Sequence, residues 1–297
     1  MYARCCALVC ALTRTLAVFA IVFTAISNSN SFADELGSLE TYAHWIDVTN
    51  LPSSGSWTKL DSPNPVVTQG ELVVAPAHGT AVPRTGAAIL DLRTESVYAS
   101  GGDGANYNYA INSDDFGGTN PSSVNSGIID FDYWICPNTW SGDANFFTPA
   151  GIYQTTSLLN SSGDIVASIG MHSLGNQNSP EVHYSVDGVN WISTGLLADS
   201  STWTNVSMSI DLDAMTSTIG FTDSASNSHV SSSLAWDGSI TDTSVSTLNL
   251  QMIDGVGKNY FDDFSFSVAP SAVPEPSSAA LAFVGLFVLA TQRRRKA

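Results

Sequence analysis

What most constrains this chain is a two-residue alternation that recurs between two apolar ends. Val206, Met208, Ile210 and Leu212 fall on one side of the pattern, and Ser207, Ser209, Asp211 and Asp213 on the other. Successive side chains of a strand point to opposite faces, so the pattern predicts antiparallel strands with one dry and one wet face. Ile165, Ala167, Ile169 and Met171 repeat it. So do Ile219 with Phe221, the set Leu248, Leu250 and Met252, and the closing set Phe264, Phe266 and Val268. No long run of 3.6-residue periodicity interrupts the series, which predicts an all-β domain.

The two ends are written differently. Arg4 and Arg14 precede the apolar run Leu16 to Ile26, and Ser31-Phe32-Ala33 offers the small residues that a signal peptidase accepts. This predicts a secretory signal peptide over residues 1–33, because the run is well short of the roughly 20 residues that cross a bilayer. At the other end, Val273-Pro274-Glu275-Pro276 leads through Ser277-Ser278 into the apolar run Ala279 to Ala290. Arg293, Arg294, Arg295 and Lys296 follow as a basic stop. The prolines keep the chain before the run extended, and the basic cluster stays cytoplasmic by the positive-inside rule. These apolar residues make about 18 Å of helix against a hydrocarbon core of about 30 Å, so the predicted short transmembrane helix suits a temporary tether.

Between them lies an ectodomain over residues 34–270, long enough to hold its own core. It carries 26 acidic residues against only Lys59, Arg84, Arg93 and Lys258, a net charge of −22. Such a surface repels nucleic acid and anionic lipid, excludes both as partners and favours cations. Only Cys136 remains after the signal peptide, so no intrachain disulfide forms, and its place between Ile135 and Pro137 fits a buried small apolar residue.

Asp187-Gly188, between Glu181–Val186 and Val189–Thr194, predicts a two-residue hairpin turn with positive φ. Residues 185–191 resemble the Asp-box of sialidases, with one residue missing before the glycine and in a single copy, and read as a hairpin. The turn formers of Gly101 to Tyr109 and Asn112 to Gly127 predict one long surface excursion.

Two resemblances organise these observations. The tripartite C-terminus, residues 271–297, resembles the PEP-CTERM sorting tag of Gram-negative bacteria that produce exopolysaccharide. That implies recognition at Val273, Pro274, Glu275 and Pro276 and removal by an exosortase-type protease. It also implies an inner-membrane intermediate and a destination in the outer envelope or outside the cell. The strand succession through Trp191-Ile192, Trp203-Thr204 and the closing Tyr260 to Val268 is similar to concanavalin A-like and laminin-G-like domains over about residues 85–268. That implies an antiparallel jelly-roll β-sandwich, with sugar binding as the commonest use; a fold alone does not establish such a use.

No catalytic constellation is visible. Glucanases similar to laminarinase place Glu-x-Asp-x-x-Glu on one strand, whereas Glu35, Glu40, Glu71, Glu95 and Glu181 have no such spacing. His44, His78, His172, His183 and His229 form no His-x-His or His-x-x-x-His pattern, and the alternation turns His183 toward solvent. For ligand binding, Asp130, Asp132 and Trp134 share one face of the strand Ile128 to Ile135. Two acids in line with an indole can hydrogen-bond sugar hydroxyls and stack on a pyranose ring; the other reading is an indole packed under a loop with solvated acids. Asp262 is in phase with Phe264, and with Asp263 it offers either a Ca²⁺ site of the kind such jelly rolls hold or a cap on a neighbouring loop. The expectation is therefore an exported, non-catalytic protein whose ectodomain binds polysaccharide, set against a polysaccharide-processing enzyme and a purely structural surface protein.

Overall fold

The computed structural model describes residues 46–47, 57–60, 70–75, 83–84, 89–94, 105–111, 124–138, 151–173, 179–199, 202–252 and 258–269. The signal peptide expected over 1–33 and the sorting segment expected over 271–297 lie outside the described residues.

The described residues form strands and connections only. In chain order the strands are β1 (Ile46–Asp47), β2 (Trp57–Lys59), β3 (Gly70–Ala75), β4 (Ile89–Thr94), β5 (Ala105–Ala110) and β6 (Ile128–Asn138). Then come β7 (Gly151–Leu159), β8 (Ile165–Ser173), β9 (Glu181–Ser185), β10 (Ile192–Leu197) and β11 (Thr204–Asp211). The last are β12 (Thr216–Thr222), β13 (Ser228–Val230), β14 (Leu234–Ala235), β15 (Thr247–Met252) and β16 (Lys258–Ala269).

These strands make two antiparallel sheets. The nine-stranded sheet runs β1-β3-β4-β16-β6-β11-β12-β13, with β14 also paired to β12, and the seven-stranded sheet runs β10-β9-β8-β7-β15-β5-β2. The chain crosses repeatedly from one sheet to the other, and its last two strands enter from the far end of the sequence. β15 fits between β5 and β7, and β16 fits between β4 and β6. This two-sheet sandwich is the architecture that the alternation predicts, with the wrapped strand order of a jelly roll.

The dry faces meet in one core. Phe131 and Tyr133 of β6 stack with Phe266 and Phe264 of β16, with ring centroids 4.4 and 5.6 Å apart respectively. From the other sheet come Tyr107, Tyr109, Ile169, Met171, Val182, Leu248 and Leu250, all buried in the same cluster. Burying a ring such as Phe131 contributes about 2–3 kcal/mol. Cys136 is buried, as expected from its place between Ile135 and Pro137.

Three local expectations are corrected. The stretch read as a surface excursion contains β5, in which Ala105, Tyr107 and Tyr109 are buried while Asn106 and Asn108 face outward. Asparagine is a poor strand former, and its two copies masked a regular alternation. Next, Asp262 does not share the inner face with Phe264. A bulge separates the pairs Asp262↔Trp134 and Ser265↔Asp132, with Asp263 at a φ of 50°. One inserted residue reverses the phase and turns Asp262 to the outer side with Trp134. Finally, Gly188 does have a positive φ of 70°, but the strands around it do not close on a two-residue turn. Tyr184 pairs with Ile192 and β9 ends at Ser185, which leaves residues 186–191 as a folded loop.

Candidate functional site

The expected ligand trio sits on the outer face of the nine-stranded sheet. Asp130, Asp132 and Trp134 pair in register with Ser209, Ser207 and Asn205 of β11, and Asp130 accepts a 2.6 Å hydrogen bond from the Ser209 hydroxyl. Burial, followed by the charge of Asp130, raises the pKa of Asp132. The guanidinium carbon of Arg84 lies 3.9 Å from the Trp134 ring centroid, so one face of the indole is taken. The Arg84 backbone N–H donates to Asp262 at 2.7 Å, and its guanidinium pairs with Asp263. Asp262 thus caps the segment at Arg84, and the Arg84 guanidinium stands beside Asp263.

The outer face of the seven-stranded sheet is chemically different. Register brings Gly170 opposite His183, His172 opposite Glu181, and Ser168 opposite Ser185 on β8 and β9. Ser193 of β10 lies opposite His183. Farther across the sheet, β5 and β15 contribute Asn106, Asn108, Asn249 and Gln251. The Asn249 amide donates to Asn106 at 2.6 Å and to Asn108 at 2.7 Å, which fixes the amide row and leaves the outer two amides their own donors.

The loop 186–191 folds back over this face. Asp187 accepts hydrogen bonds from the backbone of Val189 at 2.8 Å and Asn190 at 2.7 Å, from the Asn190 amide at 2.6 Å, and from Ser185 at 2.8 Å. Burial works to raise the Asp187 pKa but is outweighed by these bonds, which hold it at about 2. Trp191 packs against the strand at Gly170, its indole N–H donating to the Gly188 carbonyl at 3.1 Å. Glycine at 170 makes this possible. A Cβ there would meet the Trp191 ring at 2.7 Å and Ile152 at 2.9 Å.

Beside the indole stand His172, Glu181 and His183. The two imidazoles stack at 4.5 Å with 16° between their planes. His183 Nε2 is 3.1 Å from one Glu181 oxygen, and the Ser193 hydroxyl donates to the other. The Ser193 bond and then the His183 bond lower the Glu181 pKa, while burial and then the His183 charge lower that of His172. One ligand atom from each of the three residues lies within 4.8 Å of the others. Linear spacing hides this trio, because His172 joins Glu181-x-His183 only through strand register. The alternation did turn His183 outward, as expected.

No protein-family model and no curated protein matches the chain. Among solved structures, a Lotus tetragonolobus seed lectin is similar at a TM-score of 0.45 and 11% identity, covering 77% of this chain and 99% of the lectin. A GH131 beta-glucanase catalytic domain from Podospora anserina is similar at 0.41 and 12% identity, covering 80% of this chain and 91% of that domain. A sialidase is similar at 0.44 and 6% identity over 76% of this chain, which spans 18% of that protein's length. Scores and identities this low say nothing of what the sandwich binds.

Asp187 gives the loop a pH signature. Its folded pKa is depressed from the ordinary value of 3.8 to about 2, so its contribution to stability is whole above the ordinary value and lost as pH falls through the folded one. Wild type should therefore have the higher Tm than Asp187→Ala at neutral pH. The gap between the two should narrow between about pH 4 and pH 2 in thermal melts followed by circular dichroism.

Proposed function

We propose that this chain is an exported envelope or extracellular-matrix protein whose β-sandwich binds a neutral polysaccharide, without cleaving it, on the outer face of its seven-stranded sheet. The observation that carries the reading is the indole of Trp191 packed at Gly170 beside Glu181, His183 and Ser193, on the same face as the row Asn106, Asn249 and Asn108. An aromatic shelf gives a sugar ring an apolar surface, and the amides and hydroxyls around it exchange hydrogen bonds with sugar hydroxyls. Glu181 is the only carboxylate at the strand positions described for this face, whereas glycoside hydrolysis ordinarily employs a flanking pair.

On a glycan array, the purified full chain should bind at least one neutral polysaccharide. Trp191→Ala should lose most of that binding while keeping its circular dichroism spectrum. A chain that binds nothing would be a structural surface protein, and one that releases shorter saccharides would be an enzyme.

Delivery belongs to the same proposal. The predicted signal peptide supports export, and Val273–Pro276 with the apolar run and Arg293–Lys296 supports transient anchoring and release by an exosortase-type protease. Replacing Pro274 and Pro276 by alanine should leave the full-length precursor in the inner membrane on immunoblots of fractionated cells. Normal release of that variant would sink the sorting reading.

A further inference from the structure

We propose that His172, Glu181 and His183 bind a divalent transition-metal ion of the zinc class on the outer face of the seven-stranded sheet, with a coordination position left to solvent. The donors come from the bodies of two paired strands. Glu181 and His183 are two residues apart on β9 and so share a face, and the β8 register sets His172 directly opposite Glu181. Sites carried on strands hold their ligands more closely than sites on loops.

The spacing suits one small ion. Zinc bonds to nitrogen and oxygen at about 2.0–2.2 Å, which puts tetrahedral ligand atoms about 3.4 Å apart. His183 Nε2 and the Glu181 oxygen are already 3.1 Å apart. The three donor atoms lie within 4.8 Å of one another, a spread that side-chain rotation can close. The second Glu181 oxygen is held by the Ser193 hydroxyl, an outer partner that fixes the carboxylate's orientation. Gly195 helps aim that serine: its backbone N–H donates to Ser193 at 2.9 Å, where the β9–β10 register shifts.

Ligand chemistry selects the ion. Two imidazoles and one carboxylate suit zinc, copper or nickel, whereas Ca²⁺ takes six to eight oxygens. Three protein ligands leave zinc a fourth position for water or for an oxygen of a bound molecule. The site shares Glu181, His183 and Ser193 with the proposed glycan face, but metal binding is read without any saccharide and needs neither Trp191 nor the amide row, so either reading can fail alone.

The test is equilibrium dialysis of the purified full chain against Zn²⁺, with Tm measured to confirm that each variant is folded. Wild type should bind one equivalent more than the His172→Ala/His183→Ala double variant, and Glu181→Gln, the milder change, should show the same loss. Ser193→Ala should weaken this equivalent by about 10-fold. Excess Ca²⁺ should not displace it, and Co²⁺ in its place should give visible d–d absorption that the double variant lacks. Equal Zn²⁺ binding by wild type and both ligand variants would overturn the site. Displacement by Ca²⁺ would overturn the assigned ion class.

Discussion

The pairing of β16 with β6 holds the sandwich together. β16 is the last described strand, yet it lies between β4 and β6, and without it the nine-stranded sheet would separate into an N-terminal portion and a β6–β11–β12 portion. Phe264 and Phe266 on β16 stack on Tyr133 and Phe131 of β6, so the same pairing that completes the backbone ladder also closes the core. β15 does the equivalent in the other sheet, between β5 and β7. Closure by late strands makes the pairings of β15 with β5 and β7, and of β16 with β4 and β6, long-range in sequence, a topology whose loop entropy is lost before its contacts form.

The same insertions give the two outer faces their different chemistries. On the nine-stranded sheet, β16 sets the bulge at Asp263 and brings Asp262 beside Trp134, where Arg84 meets both carboxylates and the indole. This face is acidic and already carries its own cation. On the seven-stranded sheet, β15 contributes Asn249 between Asn106 and Asn108, while β8, β9 and β10 contribute Gly170, the His–Glu–His trio and Ser193. That face offers amides, hydroxyls, imidazoles and one indole. Its loop is clamped by a single carboxylate, Asp187, so the platform is held without a core of its own.

The strands with a strict apolar face were legible in the sequence because burial enforces their period. β6, β11, β15, the Ala167–Met171 part of β8 and the second half of β16 came out with the expected inner residues, whereas a bulge beside Leu158 and Leu159 turns Ile165 away from that face toward Gly188. β5 was hidden because asparagines at its outer positions resemble a turn. The reversal at Asp262 was hidden because a bulge leaves no mark in a two-residue pattern until a backbone shows it. The site was legible only in part. Asp130, Asp132 and Trp134 were correctly placed on one face, but the approach of Arg84 is long-range. Trp191 was read as a strand residue, and its place in the loop depends on what Gly170, in another strand, leaves open. The His172–Glu181–His183 trio likewise depends on register between strands, which no spacing along the chain encodes.

The proposed glycan face lies on the seven-stranded sheet and not on the nine-stranded one. Hydroxyl-radical footprinting of the purified chain, with and without a saturating polysaccharide, tests it directly because Trp191 and Trp134 report on opposite faces. Binding at the claimed face predicts that Trp191 and His183 lose reactivity while Trp134 keeps its own. Protection of Trp134 with Trp191 unchanged would contradict the claim.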